Sequence, residues 1–458
     1  MPWFVIVLCS LLPFYWGYLL FNTQPVIIFD AIGYDASGRL ILNQGLAAFF
    51  HGLQREPLFP YLISRAMGLG QMFGLQYHYF LKGILFLFLA GTLMGIYRLA
   101  RLLGAGRGMA GMGALYAGVS PMIVNSALWL WSEAAALPWG VWGVFFAIKA
   151  WRSAMGGRCY RRVAFFALAS AAMFAGLLLV KAAVSVVVVV YGLPFLVAGI
   201  VFCFRRDFYR AGAFVIAGLV LLGVFISAVE GYKTFNFRMN GNYALTDRFD
   251  WALYGNTARR LQPLTRDRVA QAVLSVPRLA LCEKYYGQQP CVFWSFPMSD
   301  AISNQALAYC GSRGLSSEQQ RTFLVEESFR MMMQHPFQQA ALSALEGTKM
   351  LFWDNRVYFV RYPDWLARAY SNWALIYTLC FGWAVLSLAS LVYAFLRRSA
   401  EFLLAASFVF WFMAVHSIFF IDIRYALPIA PLFIALTAGM FGRVFRGTFG
   451  CFSFNAEV

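Results

Sequence analysis

Long apolar stretches separated by short polar turns dominate this chain. Most are about 17–25 residues long, the length an α-helix needs to cross a bilayer. The stretch 163–203 also fits one long bent helix, but we interpret ten separate spans: 3–21, 77–97, 108–125, 133–150, 163–180, 183–203, 211–229, 372–396, 402–421 and 425–442. The pattern therefore predicts an all-α polytopic membrane protein, in which the first span remains uncleaved.

Two longer polar segments interrupt the spans. In 22–76, residues 35–50 have one apolar side and 61–70 follow two prolines, so we expect two interfacial helices there. The segment 230–371 is long enough for an α or α+β insert outside the membrane, and helices are predicted around Ser316 and after Pro336. The predicted modules are 1–229, 230–371 and 372–458.

Composition and charge agree with this class. The chain has 458 residues, of which 61% are hydrophobic and 12% are charged, which excludes a water-soluble domain. Cations concentrate in short loops on one side, which the positive-inside rule makes cytoplasmic: Arg98, Arg101, Arg107, Lys149, Arg152, Arg158, Arg161, Arg162, Arg205, Arg206, Arg210, Arg397, Arg398, Arg443 and Arg446. The segments 22–76 and 230–371 then face outward. We expect the net charge of +17 to meet anionic membrane lipids, and no nucleic acid.

Three of the eight cysteines, Cys282, Cys291 and Cys310, lie in the outward segment. An oxidising compartment permits a disulfide there, most plausibly Cys282–Cys291. The chain has no Asn-x-Ser/Thr acceptor, which favours a bacterial inner membrane with the site facing the periplasm.

The first outward segment carries the candidate general base. Asp30 lies just beyond the first span, where a transferase at the membrane surface needs a carboxylate to deprotonate its acceptor. Tyr34 follows at a spacing that shares one face of a helix. The alternative is that Asp30 is a helix cap or a solvated loop residue, with Asp35 as the rival acid.

Further charged residues lie near the outer ends of spans. Arg55 could bind a phosphate bidentately or merely pair with Glu56. Lys181 interrupts an apolar run, where a lysine is either functional or snorkelling at a turn, and Lys82 leaves the same two alternatives open.

Arg424 and Tyr425 open the last span, and Glu133 opens the fourth. Arg424 suits a phosphate, although an Asp422–Arg424 pair is the alternative. Glu133 could face the same cavity or simply cap its helix. The scattered histidines form no zinc motif and no nucleotide-binding loop occurs, so neither zinc nor ATP is expected.

These motifs resemble the GT-C superfamily of glycosyltransferases. The resemblance rests on Asp30 with Tyr34, the segment 55–60 (REPLFP), Ser132-Glu133, the break at Lys181, and the segment 424–428 (RYALP). It covers about 1–205 and 372–442 and is nearest to bacterial members of the protein-mannosyltransferase-like group, which includes the lipid A aminoarabinose transferase.

The resemblance implies a sugar donor on a polyprenyl phosphate, an acceptor that is a lipid, glycan or protein, and inversion at the sugar. It implies that Asp30 is the base and that Arg55, Lys181 and Arg424 bind the donor phosphate. The pocket residues it implies are Tyr34, Glu56, Lys82, Glu133 and Tyr425. Ala31 stands where relatives often have a second acid, so we expect an enzyme that needs no metal or other cofactor.

Two other functional classes remain open from the sequence. A transporter or lipid flippase would place ionisable groups along a midplane pathway, whereas here they collect at the outer edge. An O-antigen ligase or polymerase would use a pyrophosphate-linked donor, with His335 as its candidate histidine. A non-catalytic scaffold is a third alternative.

Overall fold

The computed structural model describes residues 3–52, 55–157, 159–246, 249–354, 359–419 and 423–449. These residues are mainly helical. The helices are α1 Trp3–Asn22, α2 Asp30–Gln44, α3 Leu46–Gly52, α4 Leu58–Phe73, α5 Tyr77–Leu102, α6 Arg107–Val119, α7 Pro121–Ser126, α8 Glu133–Met155, α9 Tyr160–Leu178, α10 Val184–Phe204, α11 Phe208–Asn240, α12 Phe249–Arg260, α13 Arg266–Ser275, α14 Leu279–Tyr286, α15 Gln288–Val292, α16 Phe296–Ser312, α17 Ser317–Gln334, α18 Pro336–Gly347, α19 Asp364–Ser371, α20 Trp373–Arg397, α21 Ala400–Ile418 and α22 Ala430–Phe449. Two 3₁₀ helices, Thr348–Phe352 and Ile423–Ile429, and two short strands, β1 Gln24–Pro25 and β2 Val360–Arg361, complete the set.

Eight helical segments in the described part of the chain are long and apolar enough to cross a membrane, so the chain is a multi-pass membrane protein: Tyr77–Leu102, Glu133–Met155, Tyr160–Leu178, Val184–Phe204, Phe208–Asn240, Trp373–Arg397, Ala400–Ile418 and Arg424–Phe445. The expectation of ten is not confirmed. The first predicted span corresponds to α1 (Trp3–Asn22), whose apolar stretch Ile6–Asn22 is not among these eight segments. The predicted span 108–125 is broken because Ser120 caps α7 and Pro121 begins it, which leaves α6 only 13 residues long.

The first polar segment is more helical than the pattern predicted. One helix over 35–50 was expected, but α2 already starts at Asp30, and α3 follows after a break at Gly45. Gly45 has φ +84°, a conformation that glycine adopts without strain. Pro57 then precedes α4, which extends the predicted helix 61–70 in both directions. Asp30 and Tyr34 therefore do lie one turn apart on a single helix.

The stretch 163–203 forms two helices, as the ten-span interpretation had it. Helices α9 and α10 are separated by Leu179–Ala183, which contains Lys181. The Leu58 amide donates to the Leu179 carbonyl at 3.1 Å, so this turn is attached to the start of α4. Close packing of α8 on α9 depends on small residues, because a Cβ on Gly143 would lie 2.5 Å from the Phe174 ring.

Two compact units can be distinguished. The first comprises Met1–Leu245, Asp354–Phe410 and Leu427–Val458, and contains all of the helices that precede α12. In this unit β1 and β2 pair antiparallel, with Gln24 opposite Arg361. This pairing places Val360–Arg361 beside the entry of the first polar segment.

The second unit comprises Thr246–Trp353 and Trp411–Ala426. Its described part is helical and includes the disulfide Cys282–Cys291, the pairing favoured from the sequence. Ser316 begins α17 with a reciprocal capping box, and α17 ends before His335-Pro336 as expected. The module boundaries 1–229, 230–371 and 372–458 stay a prediction.

Candidate functional site

The start of α2 places Asp30 against Arg55. Asp30 is the first residue of the helix, and its Oδ1 lies 3.5 Å from Arg55 Nη2. The Asp30 side chain is 28% exposed and the Arg55 side chain 12%. The buried Arg55 Nη1 has no hydrogen-bond partner. A carboxylate that is open to solvent thus lies beside a guanidinium with an unused donor, which is the pair an acid–base step beside an anionic group requires.

Tyr34 lies one turn further along α2 and connects this pair to the start of α8. Its ring lies 5.0 Å below the Arg55 guanidinium carbon, and its hydroxyl donates to Ser132 Oγ at 3.3 Å. Burial raises the pKa of Tyr34; Lys181 lowers it, and Glu56 and Glu133 raise it. The net shift is upward, so the phenol remains a neutral hydrogen-bonding group at physiological pH.

Lys181 and Glu133 form a second, more deeply buried pair. Lys181 Nζ lies 3.0 Å from Glu133 Oε1, with side chains 14% and 3% exposed. Glu133 Oε2 is buried without a hydrogen-bond partner. Glu56 Oε1 accepts a bond of 2.9 Å from the Ala182 amide, the residue that follows Lys181. Glu133 and Glu56 thus both contact the turn between α9 and α10.

The part of this cluster that the structure describes combines carboxylates with cations. It contains the carboxylates of Asp30, Glu56 and Glu133 and the cations Arg55 and Lys181. One buried donor atom and one buried acceptor atom remain unsatisfied, so the cluster retains capacity for a polar ligand. In the described ranges, no group of three or more His, Cys, Asp or Glu side chains is arranged to hold a metal ion.

The structure describes different contacts for three other predicted site residues, Lys82, Arg424 and Tyr425. Lys82 Nζ donates to the carbonyls of Leu20 and, at 2.9 Å, Thr23 at the end of α1. Arg424 is buried in the second unit, where its guanidinium lies 5.1 Å from the Tyr425 ring. The roles predicted for Lys82, Arg424 and Tyr425 stay predictions.

Two other acids, Asp35 and Asp422, were alternatives in the sequence. Asp35 accepts bonds from Tyr77 at the start of α5 and, at 2.8 Å, from Arg39 Nε on α2. Asp422, the alternative partner of Arg424, lies outside the described residues.

Sequence reasoning noted Trp131 before Glu133 but missed the ring contacts that Phe359 makes beside this cluster. Phe29 precedes Asp30, Trp131 precedes Ser132, and Phe359 contacts both of their rings. The only signal is an aromatic-rich run after Trp353, and nothing in a single sequence indicates that it packs against residues near the N-terminus.

Comparison with known proteins gives little further information. No family model and no curated protein matches the chain. Among solved structures, it is similar to the archaeal oligosaccharyltransferase AglB from Archaeoglobus fulgidus, solved in complex with an inhibitory peptide and a dolichol-phosphate, with 12% identity and a TM-score of 0.49. The similarity covers 100% of this chain and 53% of that protein, so the chain spans about half of its length.

Proposed function

We propose that this chain is a membrane glycosyltransferase of the GT-C type. It transfers a sugar from a polyprenyl-phosphate donor to a lipid, glycan or protein acceptor, with inversion at the sugar. The reaction takes place at the periplasmic face of a bacterial inner membrane and needs no metal. The proposal combines the resemblance of the sequence motifs with the way the first unit brings Asp30, Arg55 and Tyr34 together.

In the proposed reaction, Asp30 accepts the proton of the acceptor hydroxyl. The acceptor oxygen forms a bond to the anomeric carbon, while the bond from that carbon to the phosphate oxygen breaks. The electron pair leaves with the polyprenyl phosphate, whose negative charge rises as the bond breaks. A guanidinium beside that oxygen stabilises the transition state more than the ground state.

The observation that carries the proposal is the contact between Asp30 and Arg55. The two groups lie 3.5 Å apart, and Arg55 keeps a buried N–H donor without a partner. Arg55 is therefore assigned as the first phosphate ligand. Lys181 is proposed as a second phosphate ligand that is also paired with Glu133. Arg424 is proposed as a further donor ligand on the strength of the motif alone.

The test is the release of polyprenyl phosphate by purified protein in nanodiscs that contain a panel of polyprenyl-phosphate sugars and an envelope extract as acceptor. Asp30→Asn should lower turnover by at least about 100-fold, the usual contribution of a general base. Asp364→Asn is the matched control, since Asp364 is an exposed acid in the first turn of α19. Turnover by Asp30→Asn equal to that of the control would remove Asp30 from the mechanism. Movement of lipid without any covalent product would favour a flippase instead.

A further inference from the structure

Two phenylalanines near the candidate site have an unusual backbone conformation. Among the described residues, the non-glycine residues with positive φ are Phe29 (51°), Arg206 (57°), Phe359 (57°) and Arg398 (50°). Arg206 and Arg398 lie at the ends of α10 and α20, where left-handed residues are common. Phe29 and Phe359 end no helix, and bulky residues rarely adopt positive φ. Such strain persists only where surrounding contacts impose it, often at functional sites.

The two rings contact each other. Their centroids lie 6.1 Å apart at 70°, an edge-to-face arrangement. Phe359 also stacks on Trp131, with centroids 4.8 Å apart and planes at 18°. The Phe359 carbonyl accepts a 2.7 Å bond from the Val26 amide, next to the β1–β2 pairing. The position of Phe359 is thus fixed by its backbone as well as by its ring.

These contacts join the two sides of the charged cluster. Phe29 is bonded directly to Asp30, and Trp131 directly precedes Ser132 and Glu133. Phe29 stands at the N-cap of α2 and gives no side-chain cap. The ring of Phe359 supplies a tertiary contact at that point.

We propose that Phe359 is a positioning residue, which fixes the start of α2 with Asp30 against the segment that carries Ser132 and Glu133. The importance of that arrangement rests on the proposed function, because Asp30 is catalytic only there. The arrangement itself can be measured without any substrate.

The test is hydrogen exchange of the full chain in nanodiscs, followed in peptides that cover 30–34 and 129–135. In Phe359→Ala both peptides should exchange about tenfold faster, the factor for losing one ring contact of about 1.4 kcal/mol. Phe359→Trp should restore slow exchange because it keeps a ring. Tyr362→Phe is the matched control. Tyr362 lies in the same segment as Phe359, and the substitution removes its 2.8 Å hydrogen bond to Asn125 while leaving the rings of Phe29, Trp131 and Phe359 unchanged.

Unchanged exchange in Phe359→Ala, or an equal rise in Tyr362→Phe, would overturn the proposal. If Phe359→Ala also speeds exchange throughout α20, the protein is generally destabilised. The milder variant Phe359→Leu is then measured in its place. A rise confined to the two peptides in that variant supports the proposal, and any other result refutes it.

Phe29→Gly separates the ring from the backbone strain, because glycine adopts the positive φ freely. Faster exchange of 30–34 is expected from loss of the ring, whereas slower or equal exchange would contradict the proposal. With an active donor, Phe359→Ala should lower kcat with little change in KM, and Phe359→Trp should restore kcat. If no polyprenyl-phosphate sugar is turned over, the proposed function fails while the exchange result still decides the positioning role.

Discussion

Replacing Lys181 with methionine should destabilise the protein by about 3–5 kcal/mol, because it leaves the carboxylate of Glu133 buried without its partner. Glu133 depends on this one pair, since its Oε1 lies 3.0 Å from Lys181 Nζ and its Oε2 has no hydrogen bond. The Glu133 side chain is only 3% exposed, so water cannot replace the lost cation.

The magnitude follows from distance and burial. At the separation of 3.0 Å and an effective dielectric constant of about 20, the attraction is about 5 kcal/mol. Desolvation offsets part of that attraction, so the intact pair contributes less than removal of one partner costs. Glu133→Gln should cost about 2 kcal/mol, less than Lys181→Met, because the Lys181 side chain is 14% exposed and retains some hydration.

The assay is a denaturation series in mixed micelles for both single variants and the double variant. The double variant should lose about 2–3 kcal/mol less than the sum of the single losses, which is the coupling between contacting charges. The control is Lys233→Met, since Lys233 pairs with Glu230 at 2.8 Å with side chains 29% and 44% exposed. That exposed pair should contribute no more than about 1 kcal/mol. Equal losses in Lys181→Met and Lys233→Met, or additive losses in the double variant, would refute the reasoning.

Two further predictions concern buried carboxyl groups. Burial raises the pKa of Asp354 from 3.8 to about 6 despite bonds from Tyr116, Ser120 and the Met122 amide. Folding therefore favours the protonated form, so stability present below pH 4 should fall by about 3 kcal/mol in total as pH rises through and above about 6. The measurement is Tm at a series of pH values from 4 to 8. The fall of Tm with rising pH should vanish in Asp354→Asn; if Tm still falls in that variant, another group causes the pH dependence. In the second unit Glu346→Gln should cost about 3–5 kcal/mol in denaturation experiments, because two buried arginines lose their shared carboxylate; a loss below about 1 kcal/mol would contradict this.

The stability of Glu346→Gln should depend on pH differently from that of Asp354→Asn. Burial alone would raise the pKa of Glu346, but Arg259 and Arg260 outweigh it and hold the pKa well below its usual range. A lowered pKa contributes stability that is present above pH 4.5 and is lost only in strong acid. Between pH 5 and 8, we therefore expect the loss in Glu346→Gln to be independent of pH.

Helices that are determined by nearby residues could be predicted from the sequence. Hydrophobic length found the long helices, and Ser316 and Pro336 marked helix starts because capping and proline act within one turn. The prediction was wrong where one local feature outweighed another. Pro121 interrupts the apolar run 108–125, and Gly45 divides the predicted helix 35–50.

The candidate site was only partly predictable. Asp30, Tyr34 and Arg55 lie close in the sequence, and α2 and α4 bring them into contact. The Lys181–Glu133 pair joins residues 48 positions apart, and the sequence indicated both side chains without indicating that they meet. Phe359 could not have been found, since its role depends on a strand pairing between distant segments.

The contact of Lys82 with the end of α1 has a consequence for how the protein is made. The last carbonyls of a helix lack partners within it and carry partial negative charge. Here two carbonyls near that end are bound by an ammonium group 62 and 59 positions further along the chain. During synthesis, α1 thus leaves the ribosome before these two contacts can form, because they need Lys82 of α5.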